Sequence, residues 1–168
     1  MGNQAVSQGI TRHYRKVIRV TPVLETSGYS GGDVLIDSTE IPNAVLGLGG
    51  CSMLRSISYI TQQDAAYSMD IHFTQVQQNL GTMNASPNIS DDDLVASNYL
   101  GCVESTSGNV SDLGSARVWT FRQSDGDMGL PIFLQAEPDS TSVYFAIIQA
   151  TTETFAVDDL QFIFDIEY

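Results

Sequence analysis

The chain has 168 residues, two cysteines and a formal net charge of −13 at pH 7, and 42% of its residues are hydrophobic. That length suits one domain able to bury roughly 70% of the surface its unfolded form exposes, so neither metal nor disulfide is needed to hold it. No apolar run approaches the ~18 residues of a membrane span, the polar start from Met1 to Ile10 lacks the apolar core of a secretory signal, and an acidic body repels nucleic acid and anionic membrane alike.

The charge is unevenly distributed. Four of the seven basic residues, Arg12, Arg15, Lys16 and Arg19, fall in the first nineteen positions, which hold no acid. The small polar residues at 1–13 read as a flexible arm ahead of a single β-domain at 14–168. The basic residues read either as a solvated end attracted to the acidic body or as an anchor on an acidic partner surface.

Tyr14 to Leu24 alternates well enough, through Val17, Ile18, Val20 and Val23, to predict a first strand closed by Thr21-Pro22. A glycine-rich turn, Gly28 to Gly32, launches a second from Asp33 to Ser38. A Pro-Asn turn at Pro42-Asn43 and the Gly49-Gly50 pair lead into a third, Met53 to Ile60. From Ala65 to Thr74, Tyr67, Met69, Ile71 and Phe73 share one face and Ser68, Asp70, His72 and Thr74 the other. Gln75 to Ile89 reads as a polar loop. Ser90 is a good N-cap for a short helix to about Asn98, and Asp91, Asp92 and Asp93 complement the positive end of its dipole.

Val103 extends a strand, Ser105 to Ser111 reads as a loop, and Ala116 to Phe121 is a buried strand by preference, with Val118 and Thr120 facing opposite to Trp119 and Phe121. Leu130 to Ala136 and Val143 to Ala150 are apolar strands joined by a turn at Glu137-Pro138-Asp139-Ser140. The last run sets Leu160, Phe162, Phe164 and Ile166 against Gln161, Ile163, Asp165 and Glu167. Eight or nine short strands with no helix between them exclude a parallel α/β sheet. They predict an all-β fold, an antiparallel two-sheet sandwich of jelly-roll type with one short helix near 91–98.

Catalytic patterns are weak. Gly28-Tyr29-Ser30-Gly31-Gly32 matches the G-x-S-x-G pattern of a serine-hydrolase elbow, with His72 and Asp37, Asp64 or Asp70 as partners, but a strand follows it instead of the helix that the elbow needs. In Gly126-Asp127-Met128-Gly129 a thioether stands where a protease nucleophile would be. Asp33 and Asp37 lie roughly 13 Å apart on one strand face, too far for a glycosidase pair. The three adjacent aspartates point about 100° apart on a helix and cannot share one ion, while calcium at Asp125 to Asp127 with Asp139 stays open. His13 and His72 are too few for a usual zinc site. Cys51 and Cys102 read as buried free thiols. No enzyme, cofactor or metal site is expected.

The succession Thr-Pro-x-Leu-x-Thr-Ser-x-Tyr (Thr21 to Tyr29), Gly-Asp-Val-Leu (Gly32 to Leu35), Glu-Ile-Pro-Asn-Ala (Glu40 to Ala44), Gly-Gly with Leu-x-Ser-Ile (Gly49 to Ile57), Asp-Ile-x-Phe (Asp70 to Phe73), Asn-Ala-x-Pro-x-Ile-Ser-Asp (Asn84 to Asp91) and Asp-Leu-Gly (Asp112 to Gly114) resembles a family of small tailed-phage virion proteins. The resemblance implies a non-enzymatic structural protein of the phage head, made in the host cytoplasm and carried in the virion. It implies capsid decoration, with the major capsid protein as partner and Arg12, Arg15, Lys16 and Arg19 as candidate contacts. A homo-oligomer is expected, a trimer if the protein sits at a three-fold lattice point. The alternative is a carbohydrate- or receptor-binding jelly-roll module of the tail or fibre, for which Tyr29, Tyr59, Tyr67 and Tyr99 are candidate exposed aromatics.

Overall fold

The computed structural model describes residues 14–64, 67–105, 110–122 and 129–168. The expected arm with Arg12, the residues Ala65 and Ala66, and the turn Asp125 to Asp127 with Met128 lie outside the described residues.

Twelve strands and one helix are formed among the described residues. In chain order they are β1 (Arg15–Val20), β2 (Gly28–Tyr29), β3 (Val34–Ile41), β4 (Cys51–Thr61), β5 (Met69–Thr74) and α1 (Asp91–Ala96). There follow β6 (Tyr99–Glu104), β7 (Val110–Asp112), β8 (Arg117–Arg122), β9 (Ile132–Gln135), β10 (Val143–Gln149), β11 (Glu153–Thr154) and β12 (Leu160–Glu167). One sheet runs β1-β12-β4-β8-β7, with β9 paired to the first part of β4; the other runs β3-β10-β5-β6; β2 and β11 form a small ribbon. These strand pairs are all antiparallel. Consecutive strands change sheet, β3 to β4 to β5 and β9 to β10 to β12, which gives the sandwich its jelly-roll-like weave.

Alternation fixes which face of each strand is inside. On β12, Leu160, Phe162, Phe164 and Ile166 are fully buried while Gln161, Ile163, Asp165 and Glu167 are half-buried on the other face. Trp119 and Phe121 of β8 and Met69, Ile71 and Phe73 of β5 meet them from the neighbouring strands and the facing sheet. The Tyr59 ring stacks on Trp119 at 4.8 Å and 14°, and Tyr67 lies 5.5 Å from the same indole. Burying each such side chain contributes about 2–3 kcal/mol against leaving it in water. The phenols inside the core are bonded, Tyr67 to the Thr61 hydroxyl and Tyr59 weakly to Ser105 Oγ at 3.5 Å. Desolvation pushes the Tyr67 phenol up to about 12.

The structure adds to the sequence reading at β3 and at the loop from Gln75, and corrects it at residues 110–112. Val34, Leu35 and Ile36 are all buried because register shifts against β10 break the alternation of β3. Leu35 and Ile36 enter the main core, whereas Val34 joins Leu80 and Ala146 in a second cluster. The loop from Gln75 contains no named helix or strand, as expected, and it covers β3, through Val34 N to the Ala85 carbonyl at 2.9 Å and Asn84 N to the Val34 carbonyl at 2.9 Å. Residues 110–112, read as loop and turn, form the edge strand β7 against β8. The helix is as expected at its start: the Ser90 hydroxyl accepts from Asp93 N at 3.1 Å and donates to the Asp93 carboxylate at 2.7 Å. None of its six residues is buried.

Candidate functional site

The described basic residues all lie on the six-stranded sheet. Arg15, Lys16 and Arg19 are on β1, Arg55 on β4, and Arg117 and Arg122 on β8; the four-stranded sheet has no lysine or arginine. Among the described acids, only Asp112, Asp165 and Glu167 belong to the six-stranded sheet. One layer of a strongly acidic sandwich is therefore locally cationic.

Register assigns these charges to faces, because directly paired residues point the same way. Val17, Asp165, Ser56 and Arg122 form one row across β1, β12, β4 and β8, and Arg19, Ile163, Ser58 and Thr120 form the next. Both rows alternate with buried Ile18, Phe164, Ile57 and Phe121, so they lie on the outer face. A bulge between Asp165 and Ile166 turns Arg55 to the same side as Ser56, where its Nε meets the Glu167 carboxylate at 2.6 Å. Arg15 pairs with Asp165, whose second partner is the Ser56 hydroxyl at 3.3 Å. Arg19 is exposed and has no carboxylate partner among the described residues. Val17 and Phe133, 48% and 55% exposed, add apolar contact area.

The expected quartet of anchoring residues is divided. Arg12 lies outside the described residues, Arg15 and Arg19 point outward, and Lys16, opposite buried Ile166, lies on the inner side of the sheet edge. An inward charge on an edge strand discourages pairing with a foreign strand. Arg117 is engaged at its strand end by Asp64 at 2.8 Å and Asp112 at 3.4 Å. Arg55 and Arg122 were not among the candidates of the sequence reading. The alternation that set Trp119 and Phe121 on one face puts Arg122 on the other, so part of its signal was present; that of Arg55, on a bulge, was not.

Other candidates are dispersed. The backbone N–H of Ser30 donates to Asp33 at 2.8 Å in a tight turn, and His72 bonds instead through Nδ1 to the Tyr99 hydroxyl at 2.9 Å. Burial lowers the pKa of His72 against the opposing pull of Asp70 and Glu104. Its cross-strand neighbour Cys102 has its thiol pushed up to about 11, chiefly by burial and then by Asp70. A neutral imidazole beside a protonated thiol does not form the ion pair of a cysteine nucleophile. Tyr29, Tyr59 and Tyr67 are fully buried, which leaves Tyr99 alone of the four aromatics proposed for sugar binding, at 43% exposure. Asp91, Asp92 and Asp93 are exposed, and no group of three or more metal-ligating side chains is arranged around a point among the described residues. Cys102 is half-buried and Cys51 is exposed, against the expectation of two buried thiols; both are free.

Compared with known proteins, the chain matches no family model and no curated protein.

Proposed function

We propose that this chain is a non-enzymatic structural protein of a tailed-phage virion, one that decorates the head shell and grips it through the outer face of the six-stranded sheet. The observation that carries the reading is the collection of the described cations on one sheet of a −13 protein. Arg15, Arg19, Arg55 and Arg122 supply attraction, and Val17 and Phe133 supply area that gains by leaving water. An acidic patch on the major capsid protein is the complementary surface. The acidic remainder of the sandwich then faces solvent, and its charge keeps neighbouring decorated particles apart. The resemblance of seven ordered stretches to tailed-phage virion proteins supports the same reading.

The test uses heads of the encoding phage stripped of the protein and then mixed with it. Bound copies, counted after sedimentation, are expected to fall steeply between ~50 and ~500 mM salt, where the screening length shrinks from roughly 14 to 4 Å. Reversing Arg15, Arg19 and Arg122 to Glu is expected to abolish attachment at low salt. Attachment to tails in place of heads, or attachment indifferent to both salt and reversal, overturns the proposal.

A further inference from the structure

At one end of the sandwich, the edge strand β1 and the connections β3–β4 and β9–β10 leave an open pocket of about 290 Å³. One wall is aromatic. Tyr14 and Tyr168 stand with ring centroids 5.9 Å apart at 45°, and Tyr14 is 64% exposed. The Tyr168 hydroxyl donates to the Asn43 carbonyl at 2.7 Å, which fixes that ring against the turn. The opposite wall is held by Val45 N bonded to the Thr141 carbonyl at 3.1 Å, and by the Thr141 hydroxyl donating to the Asn43 side chain at 3.4 Å. Among the described residues Lys16 supplies the only charged side chain lining it, and it has no Asp or Glu partner there.

We propose that this pocket binds a carboxylate-bearing sugar ring. A pyranose offers an apolar C–H face that packs on an aromatic ring, and hydroxyls that need amide and hydroxyl partners of the kind Asn43 and Thr141 provide. Lys16 adds a single cation as a point charge for a carboxylate, and a cationic spot in an acidic molecule draws anions selectively. The arrangement also accounts for the exposed Tyr14 ring beside the half-buried Tyr168 at this edge. The site is separate from the shell-docking face, because Lys16 points to the opposite side of β1 from Arg15 and Arg19.

The experiment is an NMR titration of the isotope-labelled full chain with sodium glucuronate, using glucose as the uncharged control. Saturable shifts are expected at the amides of Tyr14, Lys16, Asn43 and Thr141, with millimolar affinity for glucuronate and roughly tenfold weaker binding of glucose, the size of one charge-assisted contact. Lys16→Met is expected to erase the difference between the two sugars, and Tyr14→Ala to weaken both. Tyr14 is exposed, so its loss leaves the fold intact and the spectrum itself reports that control. Equal affinity for the two sugars, shifts centred on Arg15 and Arg19, or no saturable shift in the pocket overturns the proposal.

Discussion

Arg15 reaches diagonally across the β1–β12 ladder to Asp165, with Nε 3.2 Å from Oδ1, although the residue directly opposite it is Glu167. Glu167 in turn is taken by Arg55 from the bulge on β4. Asp165 and Glu167 on the outer face are thus both engaged by arginines. Arg19, opposite Ile163, is left outside this network. Among the described residues, Arg19 is thus a cation without a carboxylate partner at the edge of a face whose acids are engaged.

Arg19→Glu is accordingly expected to weaken shell attachment more than Arg15→Ala. Neither change should unfold the protein, since exposed pairs contribute about 0–1 kcal/mol and surface substitutions about ±0.5. Melting temperatures with sedimentation of decorated heads at low salt check both halves. A larger loss of attachment from Arg15→Ala would show that the pair with Asp165, and not the free charge, makes the contact.

Periodicity carried most of the fold because the inside of the sandwich is dominated by single-sided strands. On β5, β8 and β12 every second residue is large and buried, and the division of those strands into two faces was legible in the sequence. The failures fall where a strand has two buried faces or a bulge. Val34 lies under Leu80 on the outer side of β3, so its strand reads as an apolar run without a period, and Arg55 owes its direction to an extra residue opposite β12. The candidate site was half readable. Clustering in sequence drew attention to Arg15 and Arg19, but their grouping with Arg122 is a matter of strand order, which periodicity does not carry.

Two phenylalanines on opposite faces of the six-stranded sheet separate core from surface energetics. Phe164 is fully buried and lies 5.1 Å from the Phe145 ring and 6.1 Å from that of Phe73. Phe164→Ala is expected to cost roughly 3–5 kcal/mol, the transfer and cavity cost of a buried aromatic. Phe133, on the outer face opposite Met53, is expected to tolerate serine within about 0.5 kcal/mol while weakening shell attachment. Denaturant titration of both variants checks the contrast, and equal costs would contradict the assignment of the faces.

Asp37 gives a pH dependence of definite sign. Burial raises its pKa, Glu25 adds to the rise, and Oδ1 has no hydrogen-bond partner. A carboxyl whose folded pKa lies above its unfolded value contributes stability at low pH, and that contribution is lost as pH rises through the folded pKa. The ionised form is therefore a burden at pH 7. Asp37→Asn is expected to melt higher than the parent at pH 7, with the gap closing below about pH 4, the ordinary aspartate range. A lower melting temperature at pH 7, or a gap independent of pH, would sink the argument.

The two thiols should differ in reactivity as their surroundings differ. Cys51 opens β4 at an exposed position opposite Gln135, whereas Cys102 is half-buried with its thiol pushed up to about 11. Only the thiolate attacks an alkylating agent, and at pH 8 that shift lowers the thiolate fraction of Cys102 by roughly a hundredfold relative to an ordinary cysteine. Iodoacetamide is expected to label Cys51 first in the native protein, with Cys102 following at a rate reduced by that factor or more. In denaturant the desolvation disappears and both should react alike. Peptide mass spectrometry over a time course distinguishes the two sites. Equal native rates would mean that the β5–β6 side of the sandwich opens on the labelling timescale, and would move the weak point of the fold to the strands flanking His72.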